Sequence, residues 1–286
     1  MTAGSAQAHS GGGSGSTGAG PRRRSDAPFL ISMALIGSVY VLLVVGMLAA
    51  DISFTSPGHI LEALRSPEIR FAIRLSLLSS SVAAILSVWT AVPIGYLLSR
   101  HRFPGKALLD AVLDIPIVLP PLVVGLSLLI LFQTPLGRAV ERVLPVTYEI
   151  PAIILAQYSV ACAFAVRTLR AAFDEIDPRL EQVARTLGCT RGQAFFRVVL
   201  PEARRGILTA LTLAWARALG EFGPILVFAG ATRMRMEVLP TTVFLELSVG
   251  RIEAAVAVSL LMVLAAVLVL VAIRASGSGK SLGRFL

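Results

Sequence analysis

Long apolar runs alternate with short polar segments along most of this chain. The first uncharged run extends from Phe29 to Ala50 and contains 22 residues, and about 20 apolar residues in a helix cross the hydrocarbon core of a bilayer. Similar runs follow, so the pattern predicts an all-α, polytopic membrane protein with about six transmembrane helices. The predicted spans are residues 29–50, 71–98, 108–132, 150–173, 206–228 and 254–273.

Composition and charge agree with membrane insertion. Hydrophobic residues make up 55% of the 286 residues, charged residues only 15%, and the mean hydropathy is +0.79, values typical of membrane proteins. A net charge of +9 would also suit nucleic-acid binding, but the basic residues lie between the apolar runs, where they orient helices. The predicted inner segments hold 17 Lys and Arg residues and the outer segments hold 8. We therefore expect a lipid bilayer as the environment, both termini in the cytoplasm, and no nucleic-acid partner.

Both ends of the chain are predicted to lie outside the membrane domain. Residues 1–28 are rich in Gly, Ser, Ala and Thr and include three consecutive arginines, a composition that cannot form a core. The apolar run that follows is longer than that of a cleavable signal. We therefore predict a disordered cytoplasmic tail over 1–28, a transmembrane domain over 29–273 and a second cytoplasmic tail over 274–286.

Candidate chemistry for an enzyme is sparse. The two cysteines and three histidines have no spacing typical of a disulfide framework or a metal site. The segment Ser276-Gly-Ser-Gly-Lys-Ser281 is similar to the end of a phosphate-binding loop, but that loop needs a glycine where this chain has Arg274. We therefore predict no catalytic residue, no metal, no cofactor and no ATPase site in this chain.

The most informative polar segment is the basic loop over residues 174–202, between the fourth and fifth spans. Its apolar residues recur at helical spacings of three and four: Leu180, Val183, Ala184 and Leu187. Gly188 is expected to end this helix, and a second short helix is expected to close at Pro201. Two short helices joined at a glycine form a compact knob on a membrane surface, which suits docking into a groove of another protein.

This loop resembles the cytoplasmic loop of the permeases of ABC importers. The pattern of that family is Glu-Ala-Ala, three residues, Gly, nine residues, Ile, one residue and Leu-Pro. The matching residues here are Gln182, Val183, Ala184, Gly188, Val198, Leu200 and Pro201. Glutamine replaces the glutamate of the pattern, and Glu181 stands just before it. The resemblance implies the type I, MetI-like fold of importer permeases and a loop that couples to a separate ATPase.

Two predicted spans contain residues that interrupt a helix. The third span contains Pro120 and Pro121, and the fifth contains Gly223 and Pro224. Proline frees backbone carbonyls and kinks or breaks a helix, and broken helices near a substrate path recur in transporters. These four residues are therefore predicted to form part of the translocation path or its gate.

Arg217 and Glu221 lie four residues apart inside the fifth predicted span, and we assign them to the same path. A charged residue at membrane depth costs about 2.5–3.5 kcal/mol on insertion scales and usually marks a pathway or an internal ion pair. Two interpretations stay open. The two residues form either a self-neutralising structural pair or a pair that acts in gating or substrate passage.

Further segments narrow the resemblance to the permeases for molybdate, tungstate and sulfate. The matching segments are 119–125, 180–188, 217–223, 228–230 and 237–240. The chain departs from the pattern of these permeases at two positions: Pro224 follows the 217–223 segment, and Ala231 stands where asparagine is common. These departures leave the choice of oxyanion open. The resemblance implies import of an oxyanion, molybdate in the first place. It also implies two permease copies in a homodimer, cytoplasmic ABC ATPase subunits and an extracytoplasmic substrate-binding protein.

Three other functions are consistent with parts of the pattern. The first is import of another small solute by the same kind of permease. The second is secondary transport without an ATPase, against which the loop pattern and the lack of an obvious inverted repeat argue. The third is a membrane-embedded enzyme, for which only Asp114, Arg217 and Glu221 offer ionisable groups at membrane depth.

Overall fold

The computed structural model describes residues 27–278, and the regular elements in that range are helices. The α-helices are α1 Ala27–Phe54, α2 Pro57–Arg65, α3 Pro67–Arg100, α4 Lys106–Val118, α5 Pro121–Gln133, α6 Pro135–Glu141, α7 Ile150–Asp174, α8 Pro178–Thr186, α9 Arg191–Ala194, α10 Leu200–Glu202, α11 Arg204–Leu219, α12 Gly223–Phe228, α13 Leu239–Ser248 and α14 Ile252–Ser278. A π-helical turn, Phe195–Val199, joins α9 to α10. The predicted all-α class is confirmed.

The chain divides into two units, Met1–Ala50 and Asp51–Leu286. The described part of the first unit is the apolar helix α1 up to Ala50. The second unit contains the remaining helices. Most of the two predicted tails, 1–28 and 274–286, lies outside the described residues, and the domain boundaries stay a prediction.

Three helices of the second unit, α3, α7 and α11, pack against one another and form its main core. The fully buried residues of these helices include many alanines: Ala83, Ala84, Ala91, Ala161, Ala165, Ala210, Ala214 and Ala218. Small side chains let helix backbones approach closely, and close van der Waals packing holds helices together in lipid, where apolar burial gives little advantage. A second core involving α5, α7 and α12 contains larger residues: Phe132, Ile153, Ile225 and Phe228.

The serines of α3 support the same close packing. Four of them are buried: Ser76, Ser79, Ser80 and Ser87. The hydroxyl of Ser80 donates to the carbonyl of Ser76 one turn back, at 2.6 Å. The hydroxyl oxygen of Ser76 accepts from the backbone N–H of Leu239 at 2.7 Å, and that of Ser81 accepts from the indole N–H of Trp215 at 3.2 Å. Since lipid offers no hydrogen bonds, these contacts satisfy polar groups and join α11 and α13 to α3.

Two predicted spans are divided rather than continuous. Four helices in the described range are long and apolar enough to cross a membrane: Phe29–Phe54, Pro67–Arg100, Ile150–Asp174 and Ile252–Val269. Helices α4 and α5 pass the same test together, but they are bent by 113° at the break between them. The predicted span over 206–228 is divided into α11 and α12 by Gly220, Glu221 and Phe222. Both breaks fall at the glycines and prolines that the sequence singled out.

Candidate translocation and coupling sites

The break between α4 and α5 follows from two consecutive prolines. Pro120 has no N–H for the helical ladder, and proline disfavours the helical conformation in the residue before it. Leu119 and Pro120 accordingly leave the helical region, with ψ angles of 141° and 135°. Pro121 occupies the first turn of α5, where the missing N–H is not needed. A new helix therefore starts directly after the bend.

Glycine and proline together divide α11 from α12. Helix α11 ends at Leu219 with Gly220 as its C-cap. Gly223 and Pro224 form the first turn of α12, and both are buried. The fixed φ of proline suits the first turn of a helix but not its interior. The local sequence therefore determines where α12 starts.

The two breaks meet in space. A methyl group on Gly125 would lie 2.7 Å from the Cα atom of Pro224, and a methyl group on Gly223 would lie 2.9 Å from the Cβ atom of Pro121. Each glycine thus contacts the proline-containing first turn of the opposite helix, and α5 packs along α12. Pro120 is the N-cap of α5, immediately before this contact. The predicted gate residues of two separate spans therefore lie together, where α5 and α12 contact each other.

The ion pair predicted in the fifth span lies at the same break. The guanidinium of Arg217 and the carboxylate of Glu221 are 2.5 Å apart. The side chain of Glu221 is 1% exposed, whereas that of Arg217 is 29% exposed. The guanidinium also lies 5.8 Å from the ring centroid of Phe164 on α7, within the range in which an aromatic face attracts a cation. The carboxylate is therefore enclosed, whereas the arginine side chain is partly exposed.

Asp114, the third ionisable residue considered for a membrane enzyme, has a different arginine partner. Its carboxylate accepts two hydrogen bonds from Arg167, both at 2.6 Å, and Asp110 accepts one from Arg170 at 2.7 Å. These ion pairs join α4 to the C-terminal part of α7. Asp114 and Glu221 are thus each paired with an arginine of their own, which is typical of structural ion pairs. Among the described residues, no three His, Cys, Asp or Glu side chains are placed to hold a metal ion.

Two carboxylates are buried around the connection between α12 and α13, Glu237 within it and Glu246 in α13. Glu237 is fully buried and accepts a hydrogen bond from the backbone N–H of Met234 at 3.3 Å. Burial raises the pKa of Glu237, because the charged form loses its hydration. Glu246 is also buried and forms an ion pair with Arg233 at 2.8 Å. These contacts hold the connection against α13.

The basic loop begins with a helix whose apolar side is largely uncovered. Of the four apolar residues predicted to share one face of α8, only Ala184 is buried. Leu180, Val183 and Leu187 are 46%, 57% and 81% exposed. An apolar helix face that the chain itself does not cover is typical of a surface that docks into a groove of another protein.

Gly188 ends α8, as the sequence predicts. Its φ angle is +90°, in the left-handed region that glycine adopts without strain. The N–H of Gly188 donates to the carbonyl of Arg185, and the N–H of Cys189 donates to that of Ala184, both at 3.1 Å. This pair of bonds is a Schellman cap, which satisfies carbonyls that the helix end would leave free.

The second helix of the loop differs from the prediction. It starts with a capping box in which Thr190 and Gln193 each accept from the other's backbone N–H. The chain then continues through the π-helical turn and α10, so Pro201 does not close the helix. Pro201 instead lies in α10, which follows the π-helical turn directly and ends one residue later, at Glu202. Val198 and Leu200 are half-buried.

The predicted gate residues and the predicted coupling residues lie at opposite ends of α11. The loop precedes Arg204 and the break follows Leu219, and this 16-residue helix is about 24 Å long at 1.5 Å per residue. The structure therefore does not assemble the two groups into one site. It joins them by a single helix that packs on α3 and α7.

Three residues that matter for these sites were missed by sequence reasoning. Gly125 lay in a segment matched to the permeases, but no pattern showed that it contacts Pro224. Tyr96 and Arg100, near the end of α3, bond to residues of the loop region that are 85 and 76 positions away in the chain. Contacts over such separations leave no periodicity or spacing in a single sequence.

These features define the membrane-embedded subunit of a transport system, with two crossing broken helices and a helical loop that is open to a partner. The chain belongs to the family of binding-protein-dependent transport system inner membrane components, whose sequence pattern matches residues 91–277. The matched stretch contains both breaks and the whole loop.

Relatives of the chain include permeases of sulfate and molybdenum transport systems. The sulfate transport system permease protein CysT of Escherichia coli is 34% identical over 236 residues, which cover 82% of this chain and 85% of that protein. The molybdenum transport system permease protein ModB of Escherichia coli is 37% identical over 185 residues, which cover 63% and 80%. A chain of a bacterial ABC transporter involved in the import of the acidic polysaccharide alginate matches with a TM-score of 0.71 at 19% identity, over 90% of this chain and 96% of that one. The predicted fold of ABC importer permeases is confirmed.

Proposed function

We propose that this chain is the permease subunit of an ATP-driven importer for an oxyanion, with molybdate as the favoured substrate and tungstate and sulfate as the alternatives. The observation that carries the proposal is the contact of α5 with α12. Each of these helices is the second part of a broken span, and the partly exposed Arg217 lies just before the second break. Broken helices at a substrate path are a recurring device of transporters. The substrate class rests on the relatives, which are named for sulfate and molybdenum transport.

The crossing supplies the candidate translocation path. In this proposal, the constriction is formed by Pro120, Pro121, Gly223 and Pro224. Arg217 offers a positive charge to the passing anion, and Glu221 holds the guanidinium in place. Because glycine lets the two helices touch without spare volume, a small displacement of α5 against α12 changes the width of the path.

The loop over 174–202 supplies the candidate connection to ATP hydrolysis. We infer that cytoplasmic ABC ATPase subunits bind the exposed side of α8, around Gln182 and Val183. Gly188 sets the angle between the two short helices of the loop. Closure of the ATPases then moves the loop, and α11 carries the movement to the crossing. An extracytoplasmic substrate-binding protein delivers the oxyanion, and a second copy of this chain completes a homodimer in the cell membrane.

Uptake by the reconstituted importer tests the proposal. Proteoliposomes that contain this chain, its ATPase and its binding protein should accumulate radiolabelled molybdate only when ATP is present, and unlabelled tungstate should compete. Uptake of labelled sulfate that molybdate does not inhibit would assign sulfate as the substrate. Uptake driven by an ion gradient without ATP would indicate a secondary transporter, and no uptake of any of the three oxyanions would contradict the substrate class.

We also propose that both termini and the basic loop face the cytoplasm. Single cysteines in place of His59 and Arg235 should react with an impermeant thiol reagent in intact cells, whereas one in place of Arg191 should not. These single cysteines are introduced into a variant in which both native cysteines, Cys162 and Cys189, have been replaced. The side chains of His59 and Arg235 are 37% and 66% exposed, so the reagent can reach these positions in the folded subunit. Labelling at position 191 but not at 235 would reverse the orientation.

Replacing Gly188 with leucine is expected to uncouple ATP hydrolysis from uptake while the protein still inserts into the membrane. A side chain at φ +90° strains the backbone by about 1–2 kcal/mol. No other atom lies within 4 Å of the added Cβ position, so the change acts on the geometry of the turn and not on packing. The measurement is the ATP hydrolysis and the oxyanion uptake of the reconstituted importer.

Two matched variants test this explanation of the turn. Gly192 lies in the same loop and also has open space around it, but its φ is not left-handed, so Gly192→Leu should keep normal uptake. Gly188→Asn should lose less uptake than Gly188→Leu, because asparagine tolerates the left-handed region. Normal coupling in Gly188→Leu would contradict a role for this turn.

A further inference from the structure

The carboxylate nearest the loop motif is held inside the permease. Gln182 occupies the position of the motif's glutamate and is exposed, whereas the side chain of the preceding Glu181 is only 15% exposed. The hydroxyl of Tyr96, near the C-terminal end of α3, donates to the carboxylate of Glu181 at 2.9 Å. Hydrogen bonds to an ionised acceptor are about twice as strong as neutral ones. Helix α8 is therefore bonded to α3, which is remote in the sequence.

Arg100, one turn further along α3, bonds to the segment that leads into α8. Its guanidinium donates to the backbone carbonyl of Ile176 at 2.8 Å, and it also lies 4.0 Å from the carboxylate of Glu181. Ile176 belongs to the short link between α7 and α8. Both the link and the helix after it are thus bonded to the end of α3.

The ring of Tyr96 contacts two more parts of the loop region. Its centroid lies 4.7 Å from that of Phe195 in the π-helical turn and 5.8 Å from that of Phe173 at the end of α7, both in edge-to-face geometry. Aromatic pairs at such distances add stability beyond their buried area. A single side chain of α3 therefore contacts the end of α7, helix α8 and the second helix of the loop.

We propose that the hydrogen bond between Tyr96 and Glu181 is the positioning contact that makes α8 and α3 move together during transport. The inference rests on the proposed function, in which an ATPase moves the loop. Helix α3 has 34 residues and is therefore about 51 Å long, and it packs along α7 and α11. A displacement applied to α8 thus reaches the core of the bundle directly, in addition to the path along α11. The exposed side of α8 is the side that the ATPase can bind. It carries Arg185 and the neutral Gln182, which stands where the family motif has a glutamate.

Hydroxyl and carboxylate variants of the complete importer test the contact. Tyr96→Phe keeps the ring and its aromatic contacts and removes only the hydroxyl, so the variant should still fold and its ATP hydrolysis should stay normal. Oxyanion transported per ATP should fall on the order of tenfold, as expected for the loss of one hydrogen bond to a charged group. Glu181→Ala should have the same effect, and the double variant should be no worse than either. Glu181→Gln should keep most of the coupling, because the amide oxygen still accepts from Tyr96.

The opposite pattern would overturn the inference. Normal coupling in Tyr96→Phe together with a loss in Glu181→Gln would mean that Glu181 acts as a charge towards the ATPase. Tyr158→Phe is the matched control, since the hydroxyl of Tyr158 donates to Thr90 at 3.3 Å and also joins α7 to α3. This control variant should keep the wild-type ratio of transport to hydrolysis.

A distance measurement tests the same contact without knowledge of the substrate. Spin labels at the exposed positions Leu97 and Arg179 report the separation of α3 and the first turn of α8, after serine replaces Cys162 and Cys189. In the complex with the ATPase, this distance should be the same without nucleotide and with trapped ATP, and Tyr96→Phe should make it change. A change in the importer that keeps Tyr96 would overturn the inference. A failure of that importer to transport any of the three oxyanions would instead contradict the proposed function.

Discussion

Replacing Arg217 with leucine is expected to remove most of the folded permease. The change leaves the carboxylate of Glu221, which is 1% exposed, without the partner that lies 2.5 Å away. Breaking a buried ion pair costs about 3–5 kcal/mol, a large part of the roughly 5–15 kcal/mol that stabilises a typical domain. Glu221→Leu should cost less, because Arg217 is 29% exposed and keeps its contact with Phe164. The yield of monodisperse protein in detergent measures both effects.

The double variant Arg217→Leu, Glu221→Leu distinguishes the two interpretations of the pair. It removes both charges, so it should recover much of the folded protein that the single variants lose. Recovery of folded protein without uptake would indicate that Arg217 contacts the passing anion, whereas recovery of uptake would indicate a structural pair. Equal and additive losses in the three variants would show that the two residues do not interact.

An exposed pair with similar geometry provides the control. Arg235 and Glu149 lie 2.6 Å apart, but their side chains are 66% and 37% exposed. Exposed ion pairs contribute about 0–1 kcal/mol. Leucine at either position should therefore change the yield of folded protein far less than Arg217→Leu does.

Gly125→Ala is expected to disrupt the crossing of α5 and α12. The added methyl group would lie 2.7 Å from the Cα atom and 3.0 Å from the carbonyl oxygen of Pro224, and backbone atoms cannot turn aside as a flexible side chain can. Overpacking of this kind costs about 1–3 kcal/mol. A lower unfolding temperature of the purified importer and a marked loss of uptake are the expected results.

Alanine substitutions at Gly220 and Gly223 provide the comparison for Gly125→Ala. Gly220→Ala lies in the break before α12, where the nearest atom is 3.7 Å from the added carbon, so it should leave stability and uptake unchanged. Gly223→Ala meets Pro121 at 2.9 Å and should resemble Gly125→Ala. A Gly125→Ala variant with normal stability and uptake would contradict the close crossing.

Much of the fold could be predicted from the sequence because its causes are local. The length of an apolar run decides whether a helix can cross a bilayer, and two consecutive prolines, Pro120 and Pro121, strongly disfavour a continuous helix. Gly188 ended α8 as predicted, since the turn needs a left-handed residue. Pro201 shows the limit of a local rule, because the helical run that it was predicted to close continues through it and ends at Glu202.

The sequence by itself determined the helical class, the positions of both breaks, the end of α8 at Gly188 and the pairing of Arg217 with Glu221, because each depends on residues within a few positions of one another. Only the tertiary structure decided that Gly125 contacts Pro224, that Gly223 contacts Pro121, and that Glu181 bonds to Tyr96 instead of facing outwards. These contacts join segments that are about 85 to 100 residues apart, and which surfaces meet depends on the packing of α3, α7 and α11 through small side chains. No short-range pattern in the sequence indicates which helix surfaces contact each other.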